Sequence, residues 1–143
     1  MVICSGFWAT PAWSQETPPR EPGTGTLTVV ITGFQNDRGD AKIGLSNSLE
    51  GYTNDDETLQ QAALPIRKGK AEWVLTDLPW GKYSIKVYHD ENGNGRLDRN
   101  GLGMPREAYG FSNNARGDFG PPDFSETLFK FKKAAMTIRI TVR

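Results

Sequence analysis

The chain has 143 residues, 36% of them hydrophobic, which suits one compact domain with a core that needs no covalent staples. Seventeen Lys and Arg balance seventeen Asp and Glu, and no basic cluster stands out. Nucleic acid and anionic membrane surfaces are therefore poor partners. Cys4 is the only cysteine, so disulfide frameworks and thiolate sites are excluded beyond it.

Met1 to Ser14 is a short apolar run (Val2, Ile3, Phe7, Trp8, Ala9) ending in Ala12-Trp13-Ser14, a small-x-small pattern that an export peptidase cuts. It predicts an exported protein, in the periplasm, the outer envelope or the medium. No basic residues precede the run, which reads as a signal peptide truncated by a start assigned too far downstream. The run is too short to span a bilayer. Ile3 stands before Cys4 where a lipid-anchor signal has a small residue. Residues 15–25, rich in proline and glycine, read as a flexible linker. The folded domain is expected over 26–143.

From there the apolar period is two residues. Leu27, Val29 and Ile31 alternate with threonines; Ala41, Ile43 and Leu45 with Lys42, Gly44 and Ser46; Ala71, Trp73 and Leu75 with Lys70, Glu72 and Thr76. Tyr83, Ile85 and Val87 alternate with Lys82, Ser84 and Lys86; Phe129 and Phe131 flank Lys130; Met136, Ile138, Ile140 and Val142 alternate with Thr137, Arg139 and Thr141. Leu64 and Ile66 add a shorter segment. About seven half-buried strands with turn residues between them predict an all-β fold of two antiparallel sheets packed face to face. Between them, Glu50 to Ala63 carries the caps Thr53 to Asp56 ahead of Leu59, Ala62 and Ala63, which predicts a single helical turn in a connection.

No alternation survives from His89 to Asp123, where seven of the sixteen glycines gather. A loop of that length usually serves binding, catalysis or a bound ion. Ordering it costs on the order of 1–2 kcal/mol per residue in backbone entropy. Its opening, His89-Asp90-Glu91-Asn92-Gly93-Asn94-Gly95-Arg96-Leu97-Asp98, sets oxygen-bearing side chains at Asp90, Asn92, Asn94 and Asp98 and a glycine at Gly95. That is the spacing of an EF-hand-like calcium loop at its first, third, fifth, sixth and ninth places. Calcium takes roughly 6–8 oxygens, so the main-chain carbonyl of Arg96 and a further carboxylate are needed to complete the shell. The twelfth place, which should carry a bidentate Glu, is Gly101. Glu107 is the first candidate to close the shell, then Asp118, Glu91 and Asp123. With two carboxylates in the loop proper, affinity is expected at about 10⁻⁴–10⁻³ M, the extracellular range. The competing reading takes Asn92-Gly93 and Asn94-Gly95 as turn signals, or the loop as one that holds itself by Asx turns without metal.

His89 shares the parity of Tyr83, Ile85 and Val87, which places it inward and makes it structural; as the only histidine it forms no multi-histidine metal site. Arg116-Gly117-Asp118 is a tripeptide short enough to recur by chance.

The run from Gly81 through Asp98, then Gly103 to Asn114, then Phe119 to Phe124, resembles the bacterial family catalogued as domain of unknown function 2141. The resemblance is specific over Gly81 to Phe129 and general before it. It implies an exported sandwich of the prealbumin-like or immunoglobulin-like kind and brings no established activity.

Three functions from different classes remain. The first is a non-enzymatic module in which a calcium-ordered loop presents Tyr109, Phe111, Phe119 and Phe124, with Asn113 and Asn114, to an envelope protein or glycan. The same aromatics, folded back, would form a satellite core instead. The second is a hydrolase using His89 with Asp90, Glu107 or Arg106, against which stand the missing Gly-x-Ser-x-Gly elbow and the lack of a second histidine. The third is a purely structural envelope domain without metal.

Overall fold

A computed structural model describes residues 23–143. The expected signal segment and most of the expected linker lie outside the described residues. In chain order the elements are β1 (Thr24–Thr32), β2 (Asp40–Ser46), α1 (Leu49–Thr53), a 3₁₀ turn (Asp55–Glu57), β3 (Gln60–Pro65), β4 (Lys70–Pro79), β5 (Gly81–Asp90), β6 (Tyr109–Phe111), a second 3₁₀ turn (Ser112–Asn114), α2 (Phe124–Thr127), β7 (Phe129–Phe131) and β8 (Ala135–Thr141). β1 starts at Thr24, slightly ahead of the expected Thr26, because Thr24 and Gly25 already pair with Pro79 and Leu78 of β4.

Two sheets result, a three-stranded one in the order β4-β1-β8 and a five-stranded one in the order β3-β2-β5-β6, with β7 also paired to β5. The alternation dictates how they stack. Leu27, Val29 and Ile31 of β1 are buried together with Ala41, Ile43 and Leu45 of β2, Ile85 and Val87 of β5, Phe131 and Ile140 in one apolar layer. A fully buried Leu, Ile or Phe contributes about 1.5–3 kcal/mol, so this layer is what holds the sheets together. The all-β sandwich is as expected, and no helix among the described residues is long and apolar enough to cross a membrane.

Three details depart from the expected pattern. β8 runs parallel to β1, because the chain leaves β7 in one sheet and crosses over to enter the other. In β4 the buried parity shifts from Ala71 and Leu75 to Leu78. Leu75 pairs with Leu27 and Leu78 with Gly25, so β4 carries an extra residue there, and Asp77 takes it up at φ 53°. The 3₁₀ turn Asp55–Glu57 forms at the expected caps, with Asn54 Oδ1 accepting from Asp56 N at 3.1 Å, and a short unexpected helix precedes it. Ser48 caps this helix by accepting from Gly51 N at 3.1 Å, and the residues from Gln60 onward are strand.

For the site, β5 matters most. Its inward side chains end with His89 and its outward ones run Ser84, Lys86, Tyr88, Asp90. The β1–β2 connection is pressed against its end: at Gly39 (φ 65°) a Cβ would lie 1.9 Å from the Asp90 carbonyl oxygen, so glycine is required. Asp37 in the same connection accepts from Gly69 N and Lys68 N at 2.8 Å, and these bonds hold its carboxyl below the usual carboxylate range.

Truncating Phe131, fully buried between the sheets, leaves a large void. Phe131→Ala should lower unfolding free energy by about 3–5 kcal/mol in urea titration, against little change for Phe119→Ala.

Candidate functional site

Asp90 ends β5 on the outward face, yet it is 0% exposed because the following chain folds over it. Its Oδ1 accepts from Asn94 N at 3.2 Å and its Oδ2 from Gly95 N at 2.9 Å. The next oxygens repeat the pattern. Asn92 Oδ1 accepts from Asn94 N at 3.2 Å and Asn94 Oδ1 from Arg96 N at 2.9 Å, two successive Asx turns. Gly93 and Gly95 lie at φ 70° and 74°, the left-handed region that such tight reversals need. The loop then meets itself: Asp98 accepts from Asn94 Nδ2 at 2.6 Å and from Asn92 Nδ2 at 2.5 Å.

Glu107, also buried, closes the far side. Its Oε1 accepts from Glu91 N at 3.1 Å and its Oε2 from Asp98 N at 3.0 Å, so one carboxylate ties the start of the loop to its middle. Arg106 N donates to the Asp98 carbonyl at 2.7 Å alongside.

Of the expected ligands, the structure brings the side chains of Asn92, Asn94 and Asp98 to one place. It sets Asp90 beside them through the shared Asn94 N–H. Glu107 joins through the loop backbone rather than at the Asp98 carboxylate. Of the alternative closing groups, Glu91 lines one cavity with Asn92, Asp98 and Glu107 while its Oε1 accepts from Asn36 Nδ2 at 2.7 Å, whereas Asp123 opens α2 with its N–H donated to Glu126 Oε2. Among the described residues no three His, Cys, Asp or Glu side chains are grouped to hold a metal. Any cation at this loop therefore relies on amide and carbonyl oxygens beside Asp90 and Asp98.

His89 is inward as expected and 1% exposed, edge-on to Phe34 with ring centroids 5.2 Å apart. Its Nε2 lies 2.5 Å from the Arg38 carbonyl oxygen. A carbonyl only accepts, so that nitrogen carries the proton.

Of the two readings left open for the aromatics, three of the four follow the folded-back satellite core. Phe111 packs against Tyr52 at 6.1 Å and Tyr109 at 6.0 Å between ring centroids, and Phe124 lies over Tyr52 at 5.5 Å. Phe119 alone of the four is fully exposed. Asn113 donates from Nδ2 to the Glu126 and Leu128 carbonyls, and Asn114 Oδ1 accepts from Thr141 N at 2.9 Å. These residues are fasteners, because the outer face of β5 needs a cover at its start as well as its end. Ser84 bonds Thr127 at 2.6 Å there, and Ser112 Oγ accepts from Ile85 N at 2.9 Å. The buried hydroxyls and Tyr52 escaped the sequence reading, since single Ser and Thr on a polar parity look solvent-facing.

Between the two covers the sheet is open, leaving a groove of about 400 Å³ lined by Lys42, Gly44, Asp55, Gln61, Lys86 and Tyr88. The Tyr88 hydroxyl donates to the Gly95 carbonyl at 2.8 Å, so groove and loop share a wall.

The chain matches, over residues 29–139, the family described as uncharacterized protein conserved in bacteria (DUF2141). It belongs to that family. The DUF2141 match runs from within β1 to within β8, so it takes in both sheets and the whole loop. No curated protein and no solved structure matches the chain.

Two outcomes follow from these contacts. Glu107→Ala leaves two loop N–H groups without their charged acceptor and should cost about 2–3 kcal/mol in urea unfolding. Burial first, and neighbouring carboxylates second, push the Tyr52 and Tyr88 phenols up to about 12. The folded state thus favours their neutral forms. Their contribution to stability is complete below the ordinary tyrosine value near 10 and is lost as pH rises through about 12. Ultraviolet titration should show a late-ionising tyrosine fraction that Tyr52→Phe and Tyr88→Phe each reduce.

Proposed function

We propose that this DUF2141 domain is an exported, non-enzymatic β-sandwich module whose 90–107 loop takes up one structural calcium ion. The observation that supports the reading is the gathering of Asp98 with Asn92 and Asn94 beside buried Asp90, where the two amide Nδ2 groups now donate to the Asp98 oxygens that an ion would take instead. Oxygens of Asp90, Asn92 and Asn94 each accept a backbone N–H, which fixes their direction. A carbonyl or carboxylate oxygen that accepts one hydrogen bond keeps a second lone pair for a cation. Asp90, Asn92, Asn94, Asp98 and the Arg96 carbonyl would hold the ion, with Glu107 supporting the loop from behind. Calcium there would supply charge neutralisation and rigidity.

Absence of catalysis is supported by His89, the residue best suited to act as a base at neutral pH. It is 1% exposed, with Nε2–H given to the Arg38 carbonyl, and Nδ1, the nitrogen that would take a proton, is held away from solvent 3.7 Å from Glu91 Oε1. Export is supported by the Ala12-Trp13-Ser14 pattern after the N-terminal apolar run. A second reading has the loop closed by its own hydrogen bonds with no ion. It is favoured by all four oxygens of Asp90 and Glu107 already accepting N–H groups.

Thermal melting separates the two. Calcium at about ten times its Kd stabilises by about 1.4 kcal/mol, a rise of several degrees in Tm over the EDTA-treated protein. Asp98→Ala should abolish the rise. Equal Tm in millimolar calcium and in EDTA rejects the ion and leaves the self-closed loop.

A further inference from the structure

The two ends of the sandwich carry opposite charge. Asp37, Asp40, Asp90, Glu91, Asp98 and Glu107 gather where β5 ends. At its start the charge is positive. Lys82 stands directly opposite Lys130 of β7, and both point outward, since their neighbours Tyr83, Phe129 and Phe131 are buried. Like charges directly opposed across a strand pair are destabilising, and among the described residues no carboxylate lies within ion-pair distance of either lysine. Lys132 and Lys133 follow in the connection from β7 to β8. The Lys133 carbonyl accepts from Trp80 Nε1 at 3.2 Å, which sets the β4–β5 turn beside them. Four lysines therefore meet at one end of the domain.

The carboxylates on neighbouring elements are Asp77 in β4, Glu50 in α1 and Glu126 in α2. None pairs with these lysines among the described residues, and Glu126 Oε2 is taken by Asp123 N at 3.0 Å. From Lys82 to Asp90 is eight strand residues at about 3.3 Å each, so the acidic end lies about 26 Å away, well beyond the Debye length of about 8 Å in physiological salt. Apolar groups share the basic end. A cavity of about 540 Å³ at the start of β5 is walled by Lys82, Leu59, Leu78, Trp80 and Tyr83, and no carboxylate lines it among the described residues. Leu59 and Trp80 are exposed at its rim. A partner held by charge alone, such as a nucleic acid or an acidic peptide, gains nothing from exposed leucine. A bilayer interface takes lysine at its phosphates and indole and leucine just beneath them. We propose that this end of the domain docks on an anionic lipid surface, with Lys82, Lys130, Lys132 and Lys133 over the phosphates and Trp80 and Leu59 in the headgroup layer. Composition alone makes anionic surfaces poor partners; the pairing of β5 with β7 sorts the balanced charges to opposite ends. The docking surface does not depend on an ion at the far loop.

The test is co-sedimentation of the full chain with vesicles of phosphatidylcholine and of phosphatidylcholine mixed equally with phosphatidylglycerol. The mixed vesicles should carry the protein down with a blue-shifted tryptophan emission, and the neutral ones should leave it in solution. Lys82→Gln with Lys130→Gln should weaken binding about 25-fold, a factor of about five for each charge, at an unchanged or higher Tm because the opposed pair is relieved. Lys68→Gln with Lys70→Gln removes the same charge at the acidic end, beside Asp37, and should leave binding as it was. The proposal is overturned if the mixed vesicles carry down no protein, if neutral vesicles bind equally, if the two double variants lose equally, or if the emission shift survives Trp80→Phe. Retention on a DNA oligonucleotide or polyglutamate as strong as on the mixed vesicles also overturns it and makes the patch a site for soluble polyanions.

Discussion

Two buried carboxylates hold this molecule's irregular chain in place. Asp90 and Glu107 between them accept from the N–H groups of Glu91, Asn94, Gly95 and Asp98, which no strand partner serves. An unpaired N–H under cover is costly, and a charged acceptor makes the strongest ordinary hydrogen bond to it. The carboxylates need those donors equally, since burial strips them of water. Each half of the arrangement makes the other tolerable. The loop folds back over the strand end, and the far side of the larger sheet gains a rigid wall.

The rest of that face follows the same economy of cover. Near the start of β5, the Ser84 and Thr127 hydroxyls bond each other and Ser112 Oγ donates to the Thr127 carbonyl, next to the aromatic cluster of Tyr52, Phe111 and Phe124. At its end the Asp90 loop performs the same service with carboxylates and Asx turns. What remains uncovered between them is a polar strip of two adjoining rows, Gly44 beside Lys86 and Lys42 beside Tyr88.

Much of this was legible in the residues because β structure writes itself in a period of two. Strands β1, β2 and β5 alternate without a break, and their buried sides match the core. The oxygen spacing from Asp90 to Asp98 falls on the segment that the structure folds on itself through Asx turns. Other features leave a weaker trace. β6, only Tyr109-Gly110-Phe111, is too short for alternation to register, and its place is set by pairing with Lys86–Tyr88. The extra residue at Asp77 reverses the parity of β4 midway, so a strict two-residue template misreads its end. Parallel pairing of β8 with β1 is a matter of tertiary route, which no local pattern encodes. The sequence left a presented face and a satellite core open for the aromatics from Tyr109 to Phe124, because Tyr52, which packs on Phe111 and Phe124, lies far upstream in a connection.

Four captured N–H groups fasten the loop, and hydrogen exchange read by NMR in metal-free buffer tests that most directly. The amides of Glu91, Asn94, Gly95 and Asp98 should exchange far more slowly than an unstructured chain, and more slowly than those of the exposed Leu102 and Phe119. Exchange of those four at unstructured-chain rates would contradict it, since the loop would then not be fastened by Asp90 and Glu107.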